Sequence, residues 1–428
     1  MRRLNQGNAG FEADVAGLLA RAHASTSSVS DVVSAIISDV RGRGDAALID
    51  FTTRFDRFTP TTLRIEAADI ATAEATVPAA LLAAIDLAAN RIERFHAAQM
   101  PADVTLDPGD GVALGVRWSA IDAVGLYVPG GKAAYPSSVL MNAIPARVAG
   151  VARIAMCVPT PDGVLNPLVL AAARRAGVTE LYRVGGAQAV AALAYGTATI
   201  APVDRIVGPG NAYVAEAKRQ VFGKVGIDGI AGPSDVLILA DDSADPRHVA
   251  LDLLAQAEHD ETTQVLLVTD SAALAQAVNE RIQAMLQGLP RADIVRASLE
   301  ANGALIVVDD VDAMVRLADL IAAEHLQIMT RNPETLFARI RHAGSVFFGD
   351  VPTAIGDYIG GTNHVLPTGG TARFASGLSV HDFLKRTTWT RADSAGIAAI
   401  GPAAALIADA EGLYAHASSL RARFADLG

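Results

Sequence analysis

From Ile121 onward the chain alternates short apolar runs with amphipathic stretches, and this constrains its fold more than any other feature. Apolar runs at 123–128, 153–158, 180–184 and 204–207 are separated by helix-like segments near 138–149, 164–176, 187–194 and 212–222. Strand and helix in turn produce a parallel sheet with crossover helices. Runs that stay apolar without alternating belong to strands covered on both faces. A second series, at 236–239, 264–268, 304–308 and 345–348, predicts a second α/β unit, with helices near 246–260, 271–287, 311–323 and 332–341. Ala231-Gly232-Pro233 marks the join between the two. Residues 10–98 and the tail from 381 read as helical, since apolar residues recur three and four apart. His23 and His96 in the first of these read as surface or core residues.

Composition narrows the chemistry. Of 428 residues, 35 are Lys or Arg and 46 are Asp or Glu, a net charge of −11 without basic blocks, which argues against nucleic acid or an anionic membrane surface as partner. Cys157 is the single cysteine, so an internal disulfide, a Cys-rich zinc site and an iron–sulfur cluster are excluded. Any metal must be held by nitrogen and oxygen. Cys157 lies among Ile154, Met156 and Val158 and reads as inert strand core. Polar Asn5-Gln6-Gly7-Asn8 stands where a signal peptide needs an apolar core, and no stretch approaches the ~20 apolar residues of a membrane span. The expected location is the cytoplasm.

Two glycine clusters follow predicted strands: Tyr127-Val128-Pro129-Gly130-Gly131 and Gly208-Pro209-Gly210-Asn211-Ala212-Tyr213. A strand–glycine–helix turn brings backbone N–H groups to a phosphate at a helix N-terminus. Neither cluster is a G-x-G-x-x-G, so both a dinucleotide cradle and ordinary βα turns remain open. Three polar clusters follow: Gln256-Ala257-Glu258-His259-Asp260, then Glu324-His325, then the loop from Gly356-Asp357 to His364. Residues 256 and 259 share a helix face. Such clusters occur at the ends of α/β elements, where ligands bind, and they also occur as helix caps and turns.

Read together, these segments resemble the histidinol dehydrogenase family. The resemblance rests on Val124-Gly125-Leu126-Tyr127-Val128-Pro129-Gly130-Gly131, Val184 to Gln188, Ile206 to Asn211, Ile227 to Ser234, Gln256 to His259, Glu324-His325-Leu326, Gly356-Asp357, Asn363 to Phe374 and Glu411 to His416. It implies two Rossmann-like parallel-sheet domains with small helical segments at both termini. It implies a zinc enzyme that oxidises L-histidinol through L-histidinal to L-histidine with two NAD, as the last step of histidine biosynthesis. The zinc ligands it implies are Gln256, His259, Asp357 and His416, with His416 supplied by the partner subunit of a homodimer. These four also contact substrate, together with Ser234, His325 and Glu411. Glu324 and His325 fall on the acid–base pair, and Tyr127, Gln188 and Asn211 on the dinucleotide contacts. The domain division that goes with it is an N-terminal helical arm at 1–22, a metal and substrate unit from 23–120 and 234–380, a dinucleotide unit at 121–233, and a C-terminal segment at 381–428 reaching the partner. Asp235 stands where the family usually has Glu, and Ala323 where Pro is common.

The residues themselves argue for a mechanism. Oxidising an aldehyde through a thioester needs a reactive cysteine, and Cys157 reads as core. The aldehyde is therefore expected to react as its hydrate. His325 is expected to take the alcohol proton and Glu324 to activate water, their side chains diverging by about 100° if both lie on a helix end. The alternatives are a related zinc/NAD dehydrogenase of another small hydroxyl compound and a zinc hydrolase. The hydrolase leaves the glycine clusters unexplained.

Overall fold

The computed structural model describes residues 1–22, 29–130, 135–230 and 232–424. His23, Gly131, Lys132 and Ala231 lie outside the described residues. Along the chain the strands are β1 (Arg2–Asn5), β2 (Val104–Leu106), β3 (Val112–Ala120), β4 (Ala123–Tyr127), β5 (Arg153–Cys157), β6 (Glu180–Tyr182), β7 (Arg205–Val207) and β8 (Gly226–Ile227). There follow β9 (Asp235–Ala240), β10 (Gln264–Thr269), β11 (Gly303–Val307), β12 (His325–Met329), β13 (Ser345–Phe348) and β14 (Leu384–Ala392).

They form two parallel sheets and one small antiparallel one. The five-stranded sheet has the order β6-β5-β4-β7-β8, so the chain reverses direction across the sheet between β4 and β7. The six-stranded sheet has the order β1-β11-β10-β9-β12-β13, and β2, β3 and β14 make an antiparallel ribbon. The fold class read from the alternation is therefore the observed one. Each terminal segment also contributes a strand. β1 extends the six-stranded sheet by pairing with β11, and β14 pairs with β3 over nine residues. Helix periodicity hid both, because each is short or exposed and finds its partner far away in sequence.

Both faces of each parallel sheet are covered, as their unalternating strands require. In β4, Val124 and Leu126 enter a core with helix Pro136–Val148 and helix Pro167–Ala176, while Ala123 and Tyr127 enter the opposite one with helix Gly186–Tyr195 and helix Ala212–Val221. Helices Ser30–Arg43 and Ala79–Ala97, grouped above with 234–380, place Val33, Ile36, Ile85 and Ile92 against this five-stranded sheet. The crossover helices start as their sequence dictates. Asn166, Asn211, Asp245, Ser271 and Asp310 each accept a backbone N–H of the first turn. Pro167 and Pro246 occupy first-turn positions that have no N–H to satisfy. Among the described residues, no single helix is long and apolar enough to cross a membrane.

Candidate active site

The polar clusters converge at the amino-terminal edge of the six-stranded sheet, opposite to the carboxyl edge where open α/β sheets usually bind ligands. The crossovers explain it. Helix Pro246–Ala257 leaves the carboxyl end of β9 and runs back, so Gln256 and His259 arrive at the amino edge. Glu324 and His325 stand where β12 begins, and Asp357 is on helix Thr353–Tyr358. Glu324 and His325 are thus at a strand start rather than a helix end. Successive side chains there point to opposite sides, which separates the two groups more than the 100° expected of a helix.

His325, 3% exposed, sits between Gln256 and Asp357. Its Nδ1 is 3.3 Å from Gln256 Oε1 and its Nε2 is 3.6 Å from Asp357 Oδ1. Burial, reinforced by His259 and His364, pushes its pKa down to about 3, so the imidazole is neutral. Glu324, 6% exposed, behaves oppositely: burial and the nearby carboxylate of Asp235 raise its pKa well above the ordinary value. Pairs of groups pushed apart in this way mark acid–base assignments. The Ser234 side chain lies beside the Glu324 carboxyl and opposes this upward shift slightly. Asp235 and Glu324 also clasp each other, since Glu324 N–H donates to Asp235 Oδ1 at 2.7 Å and Asp235 N–H to Glu324 Oε2 at 3.0 Å.

Gln256 and Asp357 flank His325, and His259 is close enough to act on its charge. Desolvation lowers His259 and pushes Asp357 up to about 6. Gln256 Nε2 and His325 Nε2 are buried without a hydrogen-bond partner. One imidazole, one carboxylate and one amide oxygen make a donor set suited to a borderline divalent cation, one ligand short of a tetrahedron. Among the described residues, no three His, Cys, Asp or Glu form a metal-binding group by themselves. His416 does not complete the set within this chain. It is exposed on helix Tyr414–Phe424, and Glu411 is exposed at the turn before it.

Two site groups went unassigned in the sequence. Asp235 carries the clasp, which pairs residues 89 apart. His364 binds the Asp357 carbonyl through Nδ1 at 2.8 Å and approaches Ser138 Oγ through Nε2 at 3.3 Å. Its position seven residues after Asp357 in a glycine-rich loop was the available signal.

The residues expected to contact a dinucleotide gather at the carboxyl edge of the five-stranded sheet, at its point of reversal. A Cβ on Gly208 would lie 2.1 Å from the Tyr127 carbonyl oxygen, so the turn after β7 is pressed onto the end of β4. Tyr127 is 4% exposed and its hydroxyl accepts the Gly186 N–H at 3.2 Å. Gln188 is 2% exposed, with Oε1 unpartnered. Asn211 Oδ1 caps helix Ala212–Val221 through Tyr213 and Val214 N–H. Tyr127 and Gln188 thus lie beneath the crevice rather than on its surface. Ser138, at the start of the helix after β4, reaches His364, so this edge adjoins the Glu324–His325 cluster.

The family model described as histidinol dehydrogenase matches residues 19–424. The chain is 61% identical to histidinol dehydrogenase of Gluconobacter oxydans over 99% of both chains, and 57% identical to that of Bradyrhizobium diazoefficiens over 98% of both. The crystal structure of histidinol dehydrogenase from Elizabethkingia anophelis superposes with a TM-score of 0.95 at 37% identity, covering 100% of this chain and 98% of that one. With this match over almost its whole length, the chain belongs to the histidinol dehydrogenase family, whose members are NAD-dependent oxidoreductases.

Proposed function

We propose that the chain oxidises L-histidinol through L-histidinal to L-histidine, using two NAD and one zinc ion per site. One observation carries this reading: a neutral buried imidazole and a buried carboxyl of raised pKa stand together beside Gln256, His259 and Asp357, while the only thiol is elsewhere. Cys157 is 0% exposed in the core of the five-stranded sheet, and burial raises its pKa. No thiolate is available for a thioester.

The balance is RCH2OH + 2 NAD⁺ + H2O giving RCOO⁻ + 2 NADH + 3 H⁺. His325 accepts the hydroxyl proton as the first hydride leaves. Glu324 takes a proton from the water that adds to the aldehyde, and the hydrate then gives up the second hydride. Ser234 orients the Glu324 carboxyl from outside the Asp235 clasp. Gln256, His259, Asp357 and the His416 of a second copy would hold zinc. When bound, the metal supplies positive charge that anchors an imidazole and amine and favours a developing alkoxide. Tyr127, Gln188 and Asn211 shape the crevice for NAD.

A homodimer accounts for the tail. Helix Ser394–Ala410 and the turn after it expose Ile400, Leu406, Ile407, Leu413 and Tyr414, an apolar surface of the kind that marks an interface. The deciding experiment is stoichiometry. Two NADH per histidinol, lost on chelation and restored by zinc, is the expected result. One NADH, or turnover of another hydroxyl compound in preference to histidinol, overturns the reading.

A further inference from the structure

Lys218 is 3% exposed, yet it lies outside the Glu324–His325 cluster and outside the assigned dinucleotide contacts. A lysine is almost never buried this deeply unless it is paired. Its Nζ forms an ion pair with Asp228 Oδ1 and donates to the Gly208 carbonyl oxygen at 3.1 Å. Asp228 in turn accepts the Gly208 N–H through Oδ2 at 2.7 Å. One buried pair therefore grips the glycine's amide on one side and its carbonyl on the other. Gly208 has φ +115 and no room for a Cβ against Tyr127, so contacts on its own side chain cannot hold its orientation. Lys218 is on the helix that Asn211 caps, and Asp228 directly follows β8. The pair ties the turn to both.

We infer that Lys218 and Asp228 are positioning residues for dinucleotide binding, holding the Gly208 carbonyl turned inward so that Gly208 presents no carbonyl oxygen to a pyrophosphate. The argument is electrostatic. A turn that cradles an anion works through its N–H groups. A carbonyl flipped into the crevice would present negative partial charge instead. The buried ammonium makes that flip unfavourable, since at 3% exposure it would lose one of its two acceptors with little access to solvent. This rests on the reading that NAD lies at the reversal between β4 and β7.

The test measures the NAD Kd directly by calorimetry, with the KM values for NAD and histidinol, in Lys218→Met, Lys218→Arg, Asp228→Asn and Gly208→Ala. Losing a hydrogen bond to a charged group predicts an NAD Kd raised about tenfold or more in Lys218→Met. Histidinol KM is expected to change less than about twofold, and Lys218→Arg to recover part of the NAD affinity. Asp228→Asn keeps an acceptor for the Gly208 N–H but not the charge, and is expected to fall between Lys218→Met and wild type. The inference is overturned if Lys218→Met leaves the NAD Kd unchanged while Gly208→Ala abolishes binding. It is also overturned if NAD and histidinol affinities fall together, as in general loss of structure. If neither Lys218→Met nor Gly208→Ala alters NAD binding, the location of the cradle is wrong as well.

Discussion

Asp235 and Glu324 each lend a carboxylate oxygen to the other's backbone N–H, and both are buried. Burial pushes Asp235 up to about 7, against 3.8 for the ordinary group. The folded chain then binds more protons than the unfolded chain between these values. The Asp235 contribution to stability is present at acid pH, is lost as pH rises from about 4 to 7, and levels off above. Asp235→Asn keeps an acceptor for the Glu324 N–H and removes the titration. Its Tm relative to wild type is expected to rise between pH 5 and pH 8, and a difference that does not change with pH contradicts the assignment. Cys157 gives a second prediction. It is expected to resist alkylation in the native protein and to react once unfolded, and Cys157→Ala is expected to keep two NADH per histidinol. His325→Asn is expected to lose both oxidation steps, whereas Glu324→Gln is expected to impair oxidation of histidinal more than that of histidinol.

At the scale of elements, the terminal arm shows what periodicity could and could not reveal. The helical pattern from Phe11 was legible and is observed as helix Phe11–Ala22. Phe11, Val15 and Leu18 are buried against Leu237, Leu266 and Ile306 of the six-stranded sheet. Leu18→Ala is therefore expected to cost about 2–5 kcal/mol in urea denaturation, by lost transfer energy and the cavity left behind. NAD affinity should not change, because this core is a separate cluster from the two that cover the five-stranded sheet. β1 was not legible. Four residues with alternating burial carry no period long enough to separate strand from coil, and pairing with β11 decides it. The expectation that Gln256 and His259 share one helix face is corrected: the helix ends at Ala257 with Glu258 as its C-cap, so His259 lies in the turn beyond it. Nor did the spacing show to which end of the sheet that helix returns.

Over the whole molecule, the two sheets present opposite edges to each other. The carboxyl edge of the five-stranded sheet, with its glycine turns, adjoins the amino edge of the six-stranded sheet, with Glu324 and His325. Contacts from Ser138 to His364 and from Asn363 Nδ2 to the Met141 carbonyl, at 2.6 Å, hold the edges together. In the proposed reaction, hydride passes from substrate to NAD at this junction. Completion of the site by a second copy predicts complementation. Mixing inactive His416→Ala with inactive His325→Asn chains is expected to restore about a quarter of the sites, because half of randomly formed dimers pair the two variants and each such dimer assembles one intact site. No recovery would place His416 outside the shared site.

The sequence by itself determined the strand–helix alternation, the glycine turns, the caps and the absence of a usable thiol, because each depends on local periodicity or residue chemistry. Motifs in order along the chain also carried the family resemblance. Only the tertiary structure decided which sheet edge bears the polar cluster, that Asp235 clasps Glu324, and that Lys218 and Asp228 grip Gly208. Those depend on burial and on contacts between residues far apart in the chain. Burial also separates the pKa values of His325 and Glu324, and no spacing in the sequence encodes how deeply a side chain is desolvated.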